Sequence, residues 1–140
     1  MTINQLQDEI IADFEFFGND WDEKYEYIIS TAKTLRTLET AHKTEQNIIK
    51  GCQSQVWLHG YLDDQKRLVF EADSDAIITK GLVAMLIRVL SDHTPKEIVE
   101  ADIYFMDAIG LKNHLSPTRS NGLLSMLKQM RLTALALSNQ

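Results

Sequence analysis

Apolar side chains in the first third of the chain return every three or four residues. Ile3, Leu6, Ile10, Ile11 and Phe14 fall on one face of a 3.6-residue period. Thr2 and Gln5 stand at capping-box spacing before them and Gly18 follows, so a helix is predicted between these signals. Asp20 and Glu23 repeat the cap, and Trp21, Tyr25, Ile28, Ile29, Ala32 and Leu35 form a second helical stripe. The period then fades. "RTLETAHKTEQNIIK" (36–50) is polar, has no clear face and runs straight into Gly51 and Cys52. An irregular stretch of that length inside a compact domain is either disordered or functional.

At Val56 the period switches from helical to two. Val56, Leu58 and Leu62 alternate with Trp57, His59 and Tyr61, "DDQK" (63–66) turns the chain, and Leu68, Phe70 and Ala72 alternate again. These two strands predict an antiparallel hairpin, with Trp57 and Tyr61 packed on the sheet. Ser74 or Asp75 is placed to cap a third helix, whose face is Ile78, Leu82, Met85, Leu86 and Val89. Gly81 inside that helix costs roughly 1 kcal/mol relative to alanine, which implies a close packing contact. Thr94-Pro95-Lys96-Glu97 opens a short helix over 95–101, and Ser116-Pro117 opens the last one, striped by Leu123, Leu127, Met130, Ala134 and Leu137. The predicted fold class is therefore α+β: one domain over residues 1–140, a small antiparallel sheet packed with several helices.

Composition narrows the function. A formal charge of −6 argues against nucleic acid, whose phosphates call for clustered Lys and Arg. Apolar runs are broken by charge well before the ~20 residues of a membrane span, and "MTINQLQDEI" lacks the basic and apolar regions of a signal peptide. A single cysteine excludes an internal disulfide and a multi-cysteine zinc site, and it points to a reducing, cytoplasmic setting. A monomer is the simpler expectation, since no heptad seam or spare apolar helix face stands out.

That cysteine sits in "GCQSQVWL" (51–58), ahead of the strand rather than within its alternation. Gly51 permits backbone angles closed to other residues, and Gln53, Ser54 and Gln55 offer hydrogen bonds rather than hydrocarbon. Most free cysteines are inert packing groups, and reactive ones need such polar surroundings. Three readings stand open. One is a stand-alone thiol hydrolase or transferase, pairing Cys52 with His42, His59, His93 or His114. Another is a non-catalytic docking module in which the thiol is incidental. The third is a thiol that accepts a group and passes it on, for which a persulfide sulfur is suited because no resolving cysteine is required.

"GCQSQVWL", "ADSDAIITKGL" (72–82) and "HLSPTRSNGL" (114–123) resemble, in order and spacing, the three signature blocks of the SufE family of sulfur-acceptor proteins. "WDEKYEYII" (21–29) resembles that family's second helix. The resemblance implies a fold like the IscU-type iron–sulfur scaffolds and a place in iron–sulfur cluster assembly. It implies that Cys52 takes sulfur from a pyridoxal-phosphate (PLP) cysteine desulfurase of the SufS or CsdA type, stimulates that enzyme and hands the sulfur to a downstream iron–sulfur scaffold complex. The PLP would belong to the desulfurase, with no cofactor or metal on this chain. In the matching blocks Gly51, Gln53, Arg119, Asp75 and Lys80 are the supporting candidates. Arg119 would favour the thiolate, Asp73 and Asp75 would cap the third helix or face the partner, and Lys80 would lie near the sulfur. The loop is expected to shield Cys52 until a partner draws it out.

Overall fold

The computed structural model describes residues 1–139. Helix α1 (Ile3–Phe16) opens with both halves of the capping box: Gln5 N–H donates to Thr2 Oγ1 at 3.1 Å, and Thr2 N–H donates to Gln5 Oε1 at 2.9 Å. Gly18, at φ +58°, turns the chain out of it. Asp20 then caps α2 (Trp21–Thr31) by accepting from Glu23 N–H at 3.2 Å. This helix stops short of the stripe's end at Leu35, because Ala32–Thr34 tightens into a 3-10 turn and Leu35 leaves in extended conformation. The Thr31 and Thr34 hydroxyls donate to the carbonyls of Tyr27 and Thr31, a local competition that weakens a helix terminus.

The hairpin forms as predicted. Strands β1 (Val56–Leu62) and β2 (Leu68–Ser74) run antiparallel, with Val56 opposite Ser74 and Leu62 opposite Leu68. Asp63 organises the turn by accepting from the Gln65 and Arg67 N–H groups, each at 2.9 Å. One face, carrying Val56, Leu58, Phe70 and Ala72, is buried in the core. The other carries Trp57, His59 and Tyr61. Of these, Tyr61 is exposed rather than packed, on the solvent side of the sheet.

The polar 36–50 segment is an ordered strap over that outer face. Leu38 and Ile49 anchor it in the interior. Between them His42 stacks on His59, with ring centroids 3.8 Å apart, and Lys43 pairs with Asp73 at 2.8 Å beside the Trp57 ring. Burial and the neighbouring His42 lower the His59 pKa, against the opposing pull of Glu71. Ile49 N–H donates to the Val56 carbonyl at 2.8 Å, and Ile48 bridges Trp57, so the strap ends as the stub of a third strand. These anchors are long-range, which is why no local period announces them.

Helix α3 (Ile77–Leu90) is the centre of the molecule. Every residue from Gly81 to Leu86 is buried, and the helix packs against α1, α2 and β2. Gly81 is required because the Ile28 carbonyl of α2 occupies the space a Cβ would need. The expected side-chain cap is absent: the capping position is Ala76, and Ser74 and Asp75 turn instead toward Gln55. Thr94 caps α4 (Pro95–Glu100) with a full capping box to Glu97. Two four-residue helices that no sequence period predicts follow, α5 (Phe105–Ala108) and α6 (Leu111–His114). Buried Gln7 holds the approach to them, accepting from Tyr104 and Phe105 N–H and donating to the Asp102 carbonyl. Ser116 then caps the 21-residue α7 (Pro117–Leu137), which packs against α3, α4 and α6. Seven helices and a two-stranded antiparallel sheet, among the described residues, make the fold α+β.

Candidate functional site

Cys52 lies where the loop before β1 meets the first turns of α7. Gly51 brings it there. Its φ of +94° belongs to the left-handed region, and a Cβ at this position would strike Ser125 Oγ of α7. With the backbone that close, the Cys52 Sγ reaches the Gly122 carbonyl at 3.6 Å and donates to it. A Cβ built at Gly122 would stand 3.4 Å from Sγ, an ordinary contact, so glycine here gives the sulfur extra room rather than relieving a clash. One glycine lowers the loop onto the helix, and the other leaves the helix surface open to receive sulfur.

Beside Sγ is a pocket of about 80 Å³, lined by Gln53, Ser54, Thr79, Leu82, Thr118, Arg119, Gly122 and Met126 together with Cys52. Its walls mix hydroxyl and amide groups with apolar side chains, and among the described residues Arg119 is the one cationic residue that lines it. A water molecule's share of liquid is about 30 Å³, so the space has room for roughly two or three further heavy atoms.

The loop is tied at its far end to the start of the third helix. Asp75 Oδ1 accepts from Gln55 N–H at 3.0 Å, while the Gln55 carbonyl accepts from Ser74 Oγ at 2.8 Å. These polar bonds on the protein surface hold the cysteine loop without hydrocarbon of its own.

Burial pushes the Cys52 thiol above its ordinary pKa, and no neighbouring charge acts in the other direction. Arg119 shares the pocket, yet it does not generate a thiolate in this conformation. The sulfur is half-buried and held as a thiol.

Of the residues singled out from the sequence, Gly51, Cys52, Gln53 and Arg119 come together here, and Asp75 secures the loop's exit. Lys80 does not line this pocket. Its Nζ pairs with Asp73 Oδ1 at 3.2 Å, on the side of α3 that faces Lys43 and the strap. Burial acts against the Asp73 carboxylate, but its bonds to Lys43, Ser74 N–H and Lys80 outweigh that and hold its pKa below the usual range. The four histidines are engaged elsewhere: His42 with His59, His114 stacked on Trp21, and His93 between the Ser91 and Met1 carbonyls. None lines the cysteine pocket. Sequence reasoning missed Thr79, Gly122, Ser125 and Met126. A glycine on the buried face of the last helix was the available signal for Gly122.

A family model described as SufE, an Fe-S metabolism associated domain, matches residues 8–134 of this chain. The SufE-like protein 1, chloroplastic/mitochondrial, of Arabidopsis thaliana is 44% identical over 114 residues, which make up 81% of this chain. Those residues are 31% of the relative, so this chain spans under a third of its length. The solution structure of a hypothetical protein from Thermus thermophilus superposes with a TM-score of 0.79, covering 96% of this chain and 97% of that one. At 14% identity that likeness speaks to the fold alone.

Proposed function

This chain belongs to the SufE family, and from that premise we propose that Cys52 is the acceptor of a persulfide sulfur. The donor is a PLP-dependent cysteine desulfurase, and the recipient is an iron–sulfur cluster assembly scaffold. The observation that carries the reading is the pocket beside Sγ: room for one more sulfur, next to a thiol with no imidazole to make it a hydrolase.

The transfer asks little of this chain. The Cys52 thiol gives its proton to solvent and, as thiolate, attacks the outer sulfur of the donor's persulfide. A Cys52–sulfur bond forms, the donor's S–S bond breaks, and the electron pair leaves with the donor's cysteine thiolate. The PLP chemistry that produces the donor persulfide belongs to the desulfurase. In the free protein the raised pKa suppresses the attack, which keeps the unloaded thiol unreactive toward electrophiles until a partner docks. Docking supplies the release: once the Gln55 ties are broken the sulfur moves into a wetter, more polar setting, where the Arg119 guanidinium stabilises the anion.

No helix among the described residues is long and apolar enough to cross a membrane. We place the reaction in a reducing compartment, the cytoplasm on the cysteine usage alone, while the plant relative is named for two organelles.

Intact mass spectrometry after incubation with an active cysteine desulfurase and free cysteine tests the reading. The mass should rise by one sulfur, reversibly with reductant, and the gain should map to Cys52. An unchanged mass beside a turning-over desulfurase refutes it.

A further inference from the structure

Beyond the cysteine pocket lies a groove of about 700 Å³ on the other side of the strap's end. One wall is the strap at Glu45–Lys50, the other is α7 from Ser125 to Thr133, and the floor is the backbone of β1 at Leu58–Gly60. The two sites share a boundary. Ser125, which lines the groove, is the residue that presses on Gly51, and Gly122 lies one helical turn before it.

The floor is an unfinished sheet edge. In an antiparallel strand the N–H and C=O of alternate residues point to the same side. Because the Val56 carbonyl accepts from Ile49, the groups of Val56, Leu58, Gly60 and Leu62 face away from β2, toward the groove side. The strap reaches only the start of this edge, where Ile49 N–H donates to the Val56 carbonyl and Ile48 bridges Trp57. The Leu58 carbonyl and both backbone groups of Gly60 have no hydrogen-bond partner among the described residues. A Cβ at Gly60 would crowd Thr133, Leu68 and Phe70 at 3.0–3.2 Å, so the position stays bare. Such an edge is a template for strand addition, with main-chain bonds supplying affinity.

We propose that an extended segment of the sulfur-donating protein adds to β1 in this groove as a strand continuing the line begun by Ile48. This rests on the sulfur-acceptor reading, and it names where that partner holds on. Gly60 exchanges both of its backbone bonds with one residue of the incoming strand. Charge selects the segment further. Lys50 and Lys128 line the groove against a single acidic residue, Glu45, and neither lysine forms an ion pair among the described residues of a chain that is otherwise net acidic. The segment therefore carries at least one acidic side chain, placed between these lysines. Because the groove ends at Ser125, seating the strand presses on the residue that holds Gly51 in place, and binding is thereby coupled to the cysteine loop.

Backbone hydrogen exchange on the native protein, alone and with a cysteine desulfurase, tests this. The Gly60 amide should exchange about tenfold more slowly or better in the complex, against unchanged amides in the turn at Asp64 and Gln65. The Lys50→Glu/Lys128→Glu variant should bind about tenfold more weakly, like charges now facing the acidic segment. A desulfurase that binds and transfers sulfur while Gly60 exchange and the variant's affinity stay unchanged overturns the strand proposal and leaves the acceptor reading intact. Failure of every desulfurase to bind or to transfer sulfur removes both.

Discussion

Two glycine contacts in this molecule look alike and do opposite things. At Gly81, α3 lies so close to α2 that the Ile28 carbonyl fills the space of a missing side chain, in the middle of the buried core. At Gly51, the cysteine loop lies equally close to α7, but the neighbour is the tip of Ser125 on a partly exposed helix. The first contact is backbone against backbone, surrounded by Leu82, Val83 and Met85, and nothing can yield without opening the core. The second meets a single rotatable hydroxyl, and the loop beyond it is held by the Gln55 ties and one long thiol bond to Gly122. Close approach thus makes one region permanent and the other releasable. The proposed carrier role, which protects a sulfur and then surrenders it, calls for both kinds of contact.

The sharpest way to break that comparison is to remove the sulfur itself. Cys52→Ser keeps a donor for the Gly122 carbonyl and changes little hydrocarbon. Sulfur acceptance and desulfurase stimulation should be lost completely, while thermal unfolding reports a change below about 1 kcal/mol. A large loss of stability would mean that the loop is a core element after all. The converse is Gly81→Ala. Helix propensity alone would favour alanine by about 1 kcal/mol, but the added methyl meets backbone that cannot rotate away, and overpacking of that kind costs about 1–3 kcal/mol or more. The collision outweighs the propensity, so chemical denaturation should show a net loss of about 2 kcal/mol, with sulfur acceptance per folded molecule unchanged. A stabilised Gly81→Ala protein would show that α2 and α3 are free to slide apart.

A subtler cut goes through the loop's ties. Asp75→Ala removes the acceptor for Gln55 N–H, an exposed bond worth about 1 kcal/mol, which corresponds to roughly a fivefold shift in an opening equilibrium. Alkylation of Cys52 by a bulky reagent should accelerate by about that factor, with unfolding stability lowered by no more than the same ~1 kcal/mol. Equal labelling rates in both proteins would place the restraint elsewhere, at Ser125 or Gly122.

The same contrast explains what could be read in advance. The starts of α1, α2, α4 and α7 were legible because capping is local chemistry, carried by Thr2, Asp20, Thr94 and Ser116 within four residues of their partners. The hairpin was legible for the same reason. The start of α3 was misread because Ser74 and Asp75, able to cap it, are drawn twenty residues back along the chain to Gln55. Gly81 announced a close contact, but not with what. The cysteine was recognisable from its block, whereas its seat was not: Gly122 is seventy residues away, and only the fold brings it under Sγ. The strap was least legible. It grips the hairpin point by point, through the side chains of His42 and Lys43 and the backbone at Ile48, and no period records such anchors.

The smallest expected effect concerns acid–base behaviour, and it tests whether the loop's closed state is set by burial or by charge. Burial alone raises the Cys52 pKa, so the native state keeps its proton to a higher pH than the unfolded chain does. The sign follows by linkage. Below the unfolded cysteine's ordinary pKa both states are protonated and stability does not depend on this thiol's titration. As pH rises past that value the unfolded state ionises first, and stability is lost progressively up to the native pKa. A plot of iodoacetamide labelling rate against pH should accordingly turn over at a higher pH for the native protein than for a urea-unfolded control. Asp75→Ala should move the native midpoint part of the way down, because a loop open more of the time hydrates its sulfur. Adding the desulfurase should move it further still, as Cys52 leaves its seat and meets Arg119 in a wetter setting. A native midpoint at or below the unfolded one would mean that Arg119 already governs the thiol in the resting protein. The loop would then be a holder of thiolate rather than a guard over thiol.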